Sequence, residues 1–536
     1  MEESNKFLNQ IQNYVRDHNV KGGLELIRQL VEAPNVLSDV LEFLIAEIDQ
    51  SKNVDCAQQI LVAIGKECDP EEVLLELIDI IDRCRNDKIF VILCRILFMI
   101  LLRLPAKRLN SLGWGLNAIH LYLSKISMSS DGEESLVDAD SVIDRISFLF
   151  NNLLPIYSAL IENFKSEIGE ARLIVLKFTL QLLGKPLAFL DLKSENTTSE
   201  TRRISENIVK QISELCPDIF AILEIDSSYD IGHVDVLALS TLFYLVLSEN
   251  VAKKKLPIVY SNVYIFQRTL TLATELLNYE NQFAQHNGLC LLQAIIERIP
   301  EHSLSYLLLD SEYHSHFCKT LTHIIVYSHL EAHRKKGLEL YRHYLFLFDT
   351  KGRYLLIYNL TYVLIHTSIM GFTVTQYKDM LMIELKKPKL SEFFSGYNLY
   401  NVLNRFCYLP NQEKSDILEL ADQIVAVLNL LRYLIIRDKE NVTGICNYFK
   451  KLEINYLEPL KKGLGVSRAH YELKIKNLKD ESAEGDKGDS EVSVTVGGHK
   501  LSGLPTNEKI NFLYSALTTF DVIDNLLCRV NELIEM

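Results

Sequence analysis

DPEEVLLELIDIID, residues 69–82, decides the fold. Asp69 is a good N-cap, Pro70 suits the first helical position, and Glu72 lies three residues after the cap. Val73, Leu74, Leu77, Ile78 and Ile81 then fall at i, i+1, i+4, i+5 and i+8, one apolar stripe on a helix. That spacing predicts an amphipathic helix laid against a core. The next run, from about Lys88 to Leu104, is apolar nearly all round apart from Arg95 and Arg103, and predicts a helix covered on both sides.

The same alternation recurs along the chain. Short turns such as 249–250, 300–301 and 349–352 separate the periodic segments, and strand patterning is scarce. Only 22 glycines and 12 prolines occur in 536 residues, where average usage would give about 38 and about 27. Both residues interrupt regular elements, so their scarcity favours long helices with tight connections. Helix pairs recurring every ~40 residues predict an all-α fold, an irregular HEAT/armadillo-like helical-repeat solenoid. No crisp repeat consensus is present, so the repeats are degenerate. The rival architecture is a non-repetitive helical bundle of two domains. The expected division is 1–205, an N-terminal helical-repeat region, and 206–477, a C-terminal one carrying a partner-binding surface. An acidic flexible linker, 478–491, and a strand-like segment with a C-terminal capping helix, 492–536, complete it.

Three polar segments interrupt the pattern. Residues 127–140 (SMSSDGEESLVDAD) and 193–203 (KSENTTSETRR) read as exposed loops. Residues 478–491 (LKDESAEGDKGDSE) are acidic and poor in apolar side chains, the composition of a linker without a core. Residues 492–496 then alternate like a short strand before a Gly497–Gly498 turn. A final helix is expected over about 507–534, its stripe running from Ile510 and Leu513 through Phe520 and Ile523 to Val530 and Ile534. Such a helix should dock on the array and cap it.

Charge and cysteine usage exclude several classes. The net charge of −14 opposes nucleic-acid binding, which needs a dense basic surface. Short basic clusters at 253–255, 334–336, 386–389 and 461–462 read as solvated helix ends. The 10 cysteines show no CxxC and no regular spacing, the pattern of reduced thiols in a cytoplasmic protein, with the nucleus open as a second compartment. The N-terminal residues lack the basic flank and apolar core of a signal peptide. Residues 354–372 (YLLIYNLTYVLIHTSIMGF) carry no Asp, Glu, Lys or Arg and approach the length of a membrane span. Asn359, His366 and several hydroxyls favour a buried repeat helix there, and no membrane partner is expected.

No motif carries chemistry. GxSxG, GxxxxGK[ST] and GxGxxG are all missing, and the carboxylates lie on solvated helical faces. His314, His316 and Cys318 (HSHFC) invite a zinc reading, but only His314 and Cys318 would share a helical face. Two surface imidazoles beside a partly buried thiol is the preferred reading. No cofactor is expected, and the protein reads as a non-enzyme.

Surface-bearing segments offer more. In the helix over 424–435, Ile424, Val427, Leu428, Leu431, Leu434 and Ile435 form the core stripe, while Asn429, Tyr433 and Arg437 lie opposite. Residues 467–476 (SRAHYELKIK) give a basic, aromatic-bearing helix in an otherwise acidic chain. That composition suits an acidic or mixed protein partner.

Three blocks in order, LNLLRYLIIRDKEN (428–441), YLEPLKKGLGVSRAHYELKIKN (456–477) and SALTTFDVIDNLLCRVNELIE (515–535), resemble the glomulin family. Weaker similarity runs through LPIVYSNVYIFQ (256–267), HRKKGLELYRHYLFLFDTKGRY (333–354), NLYNVLNRFCYLP (398–410) and CDPEEVLLELIDIID (68–82). The resemblance implies a HEAT-like repeat protein that binds the RING-box subunit of cullin-RING ubiquitin ligases, together with the associated cullin. It implies inhibition without chemistry, by covering the surface that recruits the ubiquitin-conjugating enzyme. An FK506-binding immunophilin is a further implied partner, with no site to assign. Chemistry and position within the matched blocks select Arg432, Tyr433, Arg468, His470, Tyr471 and Arg529 as contacts. Lys386, Lys387 and Arg405 follow from nearby basic stretches. The rival function is a general helical-repeat scaffold or trafficking adaptor.

Overall fold

The 69–82 stretch is a helix, Pro70–Arg83, in the computed structural model. The Asp69 carboxylate caps it, accepting from the Glu71 and Glu72 amides. Val73, Leu74, Leu77 and Ile81 are buried as their spacing requires; Ile80 joins them, and Ile78 is half-exposed. The structure describes residues 2–30, 36–50, 54–104, 109–126, 136–167, 169–193, 199–227, 234–252, 259–364, 366–483, 495–496, 499–500 and 506–535. The chain divides into two compact units, Met1–Arg298 and Ile299–Met536.

The first unit contains α1 (Glu2–Arg16), α2 (Val20–Leu30), α3 (Leu37–Asp49), α4 (Val54–Glu67), α5 (Pro70–Arg83), α6 (Asp87–Arg103) and α7 (Leu109–Ser124). It continues with α8 (Leu136–Phe164), α9 (Glu170–Gln181), α10 (Glu200–Leu215), α11 (Val236–Phe243), α12 (Asn262–Asn278) and α13 (Gln282–Ile296). From α1 to α9 each helix packs on the second helix after it as well as on a sequence neighbour. The odd helices from α1 to α11 form one layer and the even helices from α2 to α10 the other. That is the contact pattern of a stacked helical repeat. The nearly all-apolar α6 is covered on both sides as expected, and Arg103 at its end donates to the Gly65 and Cys68 carbonyls.

Two loop expectations need correction. Residues 136–140 belong to α8, and 127–135 lie outside the described residues, as do 194–198 and the basic cluster 253–255. Residues 200–203 open α10, where Thr201 and Arg202 are buried. Arg202 is held there by Glu206, Glu249 and the Leu192 carbonyl, so a residue that reads as loop polarity is an internal crosslink.

The second unit contains α14 (Tyr313–Tyr327), α15 (Glu331–Leu347), α16 (Thr350–Val363), α17 (Thr367–Glu384), α18 (Gly396–Phe406) and α19 (Ala421–Arg437). It ends with the short α20 (Phe449–Leu452), α21 (Glu458–Ala483), the antiparallel strands β1 (Thr495–Val496) and β2 (His499–Lys500), and α22 (Thr506–Glu535). One layer is α14, α16, α18 and the 445–452 segment, and the other holds α15, α17, α19, α22 and α21 in that spatial order. The last helix therefore enters its layer between α19 and α21 and is not the outer cap that its apolar stripe predicts. Leu513, Phe520, Ile523, Leu527 and Val530 are buried in that slot. The outer edge falls to α21, which runs through Ala483, past the start expected for the flexible linker. Residues 484–494 lie outside the described residues.

The uncharged stretch 354–372 is divided between α16 and α17. Among the described residues no helix is long and apolar enough to cross a membrane. Beneath it lies a buried ion pair. Arg353 of α16 and Glu384 of α17 are 3.2 Å apart and almost fully enclosed, and the Lys387 ammonium reaches the same carboxylate at 2.6 Å. Burial lowers the Arg353 pKa from its usual value.

Candidate partner-binding surface

Three tyrosines define one face of α16. Tyr354, Tyr358 and Tyr362 recur every four residues, so they stack up one side of the helix. Ring centroids are 6.0 Å apart for the first pair and 5.5 Å for the second. The neighbouring α18 grips both ends of this row. Its Asn398 accepts from the Tyr354 hydroxyl at 3.4 Å, and its Arg405 guanidinium lies 4.0 Å from the centre of the Tyr362 ring while donating to that hydroxyl. The bond shared with Tyr358, helped by Arg405, lowers the Tyr362 phenol pKa from its usual value.

The other flank of α18 meets the 445–452 segment. Tyr400 and Tyr448 stack with centroids 4.4 Å apart, and Lys451 lies over both rings. What positions Tyr448 is the turn after α19. There the buried Asp438 carboxylate accepts from the Val442 amide at 2.7 Å, the Thr443 amide at 2.8 Å and the Thr443 hydroxyl. Gly444 sits at φ 75°, in the left-handed region that glycine tolerates. The Gly396 amide closes the arrangement by donating to the Thr443 carbonyl at 2.8 Å. Tyr397 and Tyr408, at 70% and 59% exposure, stand out from the same neighbourhood.

A second surface lies on α21. Val466 and Leu473 are 65% and 57% exposed there, and Lys462, His470 and Lys476 are exposed along the same face. The face is basic and apolar together, as the sequence suggests.

The candidate contact residues occupy different settings in the fold. Arg405 lies on the α16–α18 ridge. Arg432 is exposed and Tyr433 half-buried on α19. His470 is exposed on α21. Tyr471 is buried, its ring edge-on to Phe520 of α22 at 5.3 Å, and Arg468 pairs with Asp521 at 2.7 Å. Those two hold α22 in its slot; the amphipathic pattern of α21 could not show that a distant helix inserts against it. Arg529 pairs with Glu532 on its own helix. Lys386 is exposed, and Lys387 attends the buried Glu384. The tyrosine row of α16 is hidden in the sequence because it lies in the uncharged stretch 354–372, whose composition suits a buried helix. Its signal was the i, i+4, i+8 recurrence of tyrosine.

His314 and Cys318 do share a face, but it is an inward one. His314 Nδ1 is 2.6 Å from the Tyr344 hydroxyl, and burial lowers its pKa to about 4. His314 is therefore a core residue, not the surface imidazole expected, while His316 is exposed. Among the described residues no three His, Cys, Asp or Glu side chains assemble as a metal set.

The family model described as "Uncharacterised protein family, YAP/Alf4/glomulin" matches residues 24–501. Glomulin of Mus musculus is 28% identical over 552 aligned residues, covering 99% of this chain and 91% of that protein. Glomulin of Homo sapiens is 28% identical over 494, covering 88% and 82%. Among solved structures, an engineered protein aligns over 86% of this chain at 12% identity and a TM-score of 0.23. A circular tandem repeat protein aligns over 99% at 11% identity and a TM-score of 0.20.

Proposed function

The chain belongs to the YAP/Alf4/glomulin family, and we propose that it is a non-enzymatic regulator of cullin-RING ubiquitin ligases. In this reading it binds the RING-box subunit, in the cytoplasm or the nucleus, and blocks recruitment of the ubiquitin-conjugating enzyme. The observation that carries the proposal is the 28% identity to a glomulin across 99% of this chain. The mode of action proposed is the one that the resemblance at 428–441, 456–477 and 515–535 implies.

The second unit is suited to such a task. A standard protein interface buries about 1,600 Å² in total, about 800 Å² on each side. The exposed face of α21 and the Tyr/Arg ridge of α16 and α18 supply the residue types that anchor interfaces. A bound RING domain covered by this unit would lose its enzyme-recruiting face by exclusion alone. Competition tests the proposal. A labelled conjugating enzyme bound to a purified RING-box–cullin complex should be displaced by the full chain at about one equivalent. Retention of the enzyme at large excess of the chain would remove the blocking mechanism.

A further inference from the structure

The cations of the α16–α18 ridge are partnered differently from those that form ion pairs elsewhere on both units. In the first unit, surface arginines and lysines meet carboxylates: Arg28 with Glu67, Arg83 with Asp79, Lys125 with Asp82, Arg145 with Asp87. On the α16–α18 ridge they lie on tyrosine rings. Lys351 is 3.7 Å from the centre of Tyr306, Arg405 is 4.0 Å from Tyr362, and Lys451 covers Tyr400 and Tyr448. Among the described residues no carboxylate stands within ion-pair distance of these three cations. The composition agrees. In a chain with 70 Asp and Glu, α16, α18 and the 445–452 segment contain none.

We infer that this ridge is a docking surface for an acidic, extended segment of a partner protein. A cation held on a ring is oriented without being neutralised, and it is worth only about 0.5–1 kcal/mol to the fold at an exposed site. Its charge stays available to an incoming carboxylate, and part of the side-chain ordering is complete before binding. Lys351 and Tyr362 are eleven residues apart on one helix, about 16 Å at 1.5 Å per residue. They share a face, so the two ends of the row can engage carboxylates on one extended strand of about five residues. Of the tyrosines between them Tyr354 is buried, and the half-exposed Tyr358 offers its ring and hydroxyl to the backbone. Nucleic acid fits less well, because three cations spread over such a span undershoot the phosphate density of a single strand, and the whole chain is at −14. The inference rests on this surface alone and goes beyond the ubiquitin-ligase reading.

The test uses the full chain and fluorescent 20-residue probes: a repeating Glu-Glu-Leu peptide, a repeating Lys-Lys-Leu peptide and a single-stranded RNA. Anisotropy should show binding of the glutamate peptide only, with affinity falling about tenfold in the double variant R405E/K451E and falling again with added salt. The milder pair R405A/K451A, which keeps the tyrosines and adds no repulsion, should lose about half of that effect on a logarithmic scale. A thermal midpoint like that of the parent chain shows that both variants are folded. Equal binding of the two peptides, glutamate-peptide binding unaffected by both double variants, or RNA binding abolished by them would each overturn the inference. No ubiquitin-ligase component is in the assay, so failure here is distinct from failure of the blocking proposal.

Discussion

Arg405 of α18 lies over the ring of Tyr362 of α16, 43 residues away in the chain, and donates to its hydroxyl. Both residues are exposed, so the contact ties two helices together while its outer surface faces solvent. Replacing either residue with Ala should cost no more than about 1 kcal/mol of stability. The thermal midpoint should move by no more than about 4 °C. Binding to a RING-box–cullin complex should weaken more than that, by about tenfold or 1.4 kcal/mol, if the ridge belongs to the interface. A loss of binding matched by an equal loss of folding would assign the pair to structure alone.

The Arg353–Glu384 pair should behave in the opposite way. Both side chains are enclosed, and removing Glu384 leaves the buried Arg353 charge uncompensated. Glu384→Gln alone should destabilise the second unit by roughly 3–5 kcal/mol. Arg353→Met should cost less, because Glu384 keeps Lys387. The double variant R353M/E384M should be milder than Glu384→Gln, because no buried lone charge remains. Urea unfolding of the three variants checks this. A double variant as damaged as the sum of the singles contradicts it.

Acid should weaken the second unit through His314. Its folded pKa, near 4, lies below the ordinary value of 6.5, so between those limits the unfolded chain binds the extra proton. The contribution is fully present above about pH 6.5 and is lost as pH falls toward 4, on the order of 3 kcal/mol in all. His314→Asn, which cannot titrate, should flatten the slope of unfolding free energy across that window. The same slope in variant and parent would show that other groups carry the acid sensitivity.

Tyr471 and Phe520 fix α22 between α19 and α21. Phe520→Ala should cost about 3–5 kcal/mol and raise hydrogen exchange throughout 506–535. Tyr471→Phe keeps the ring contact and should change little. Exchange confined to the helix ends in F520A would mean that α22 is held elsewhere.

The helices were largely legible in the sequence because local rules govern them. Asp69 and the stripe beginning at Val73 specify α5, and the apolar run after Lys88 specifies α6. The insertion of α22 was not legible, since an apolar stripe says that a helix is covered and not by which neighbour. The same gap explains Tyr471: its aromatic-basic surroundings suited a partner surface, and its actual partner lies 49 residues away. Arg202 and Lys387 are further cases in which a polar residue serves a buried charge that no local pattern reveals. Of the candidate surface, the basic face of α21 was readable from composition. The α16–α18 ridge needed the fold to bring Tyr362 beneath Arg405 and Tyr448 against Tyr400.

The proposed silencing of a ligase by cover of its RING is read out in the discharge of ubiquitin from a charged conjugating enzyme, driven by a purified RING-box–cullin complex. With the full chain added, the rate should fall in proportion to the amount added and reach the ligase-free rate near one equivalent. A discharge rate unchanged by a stoichiometric excess of the chain would rule out masking of the RING.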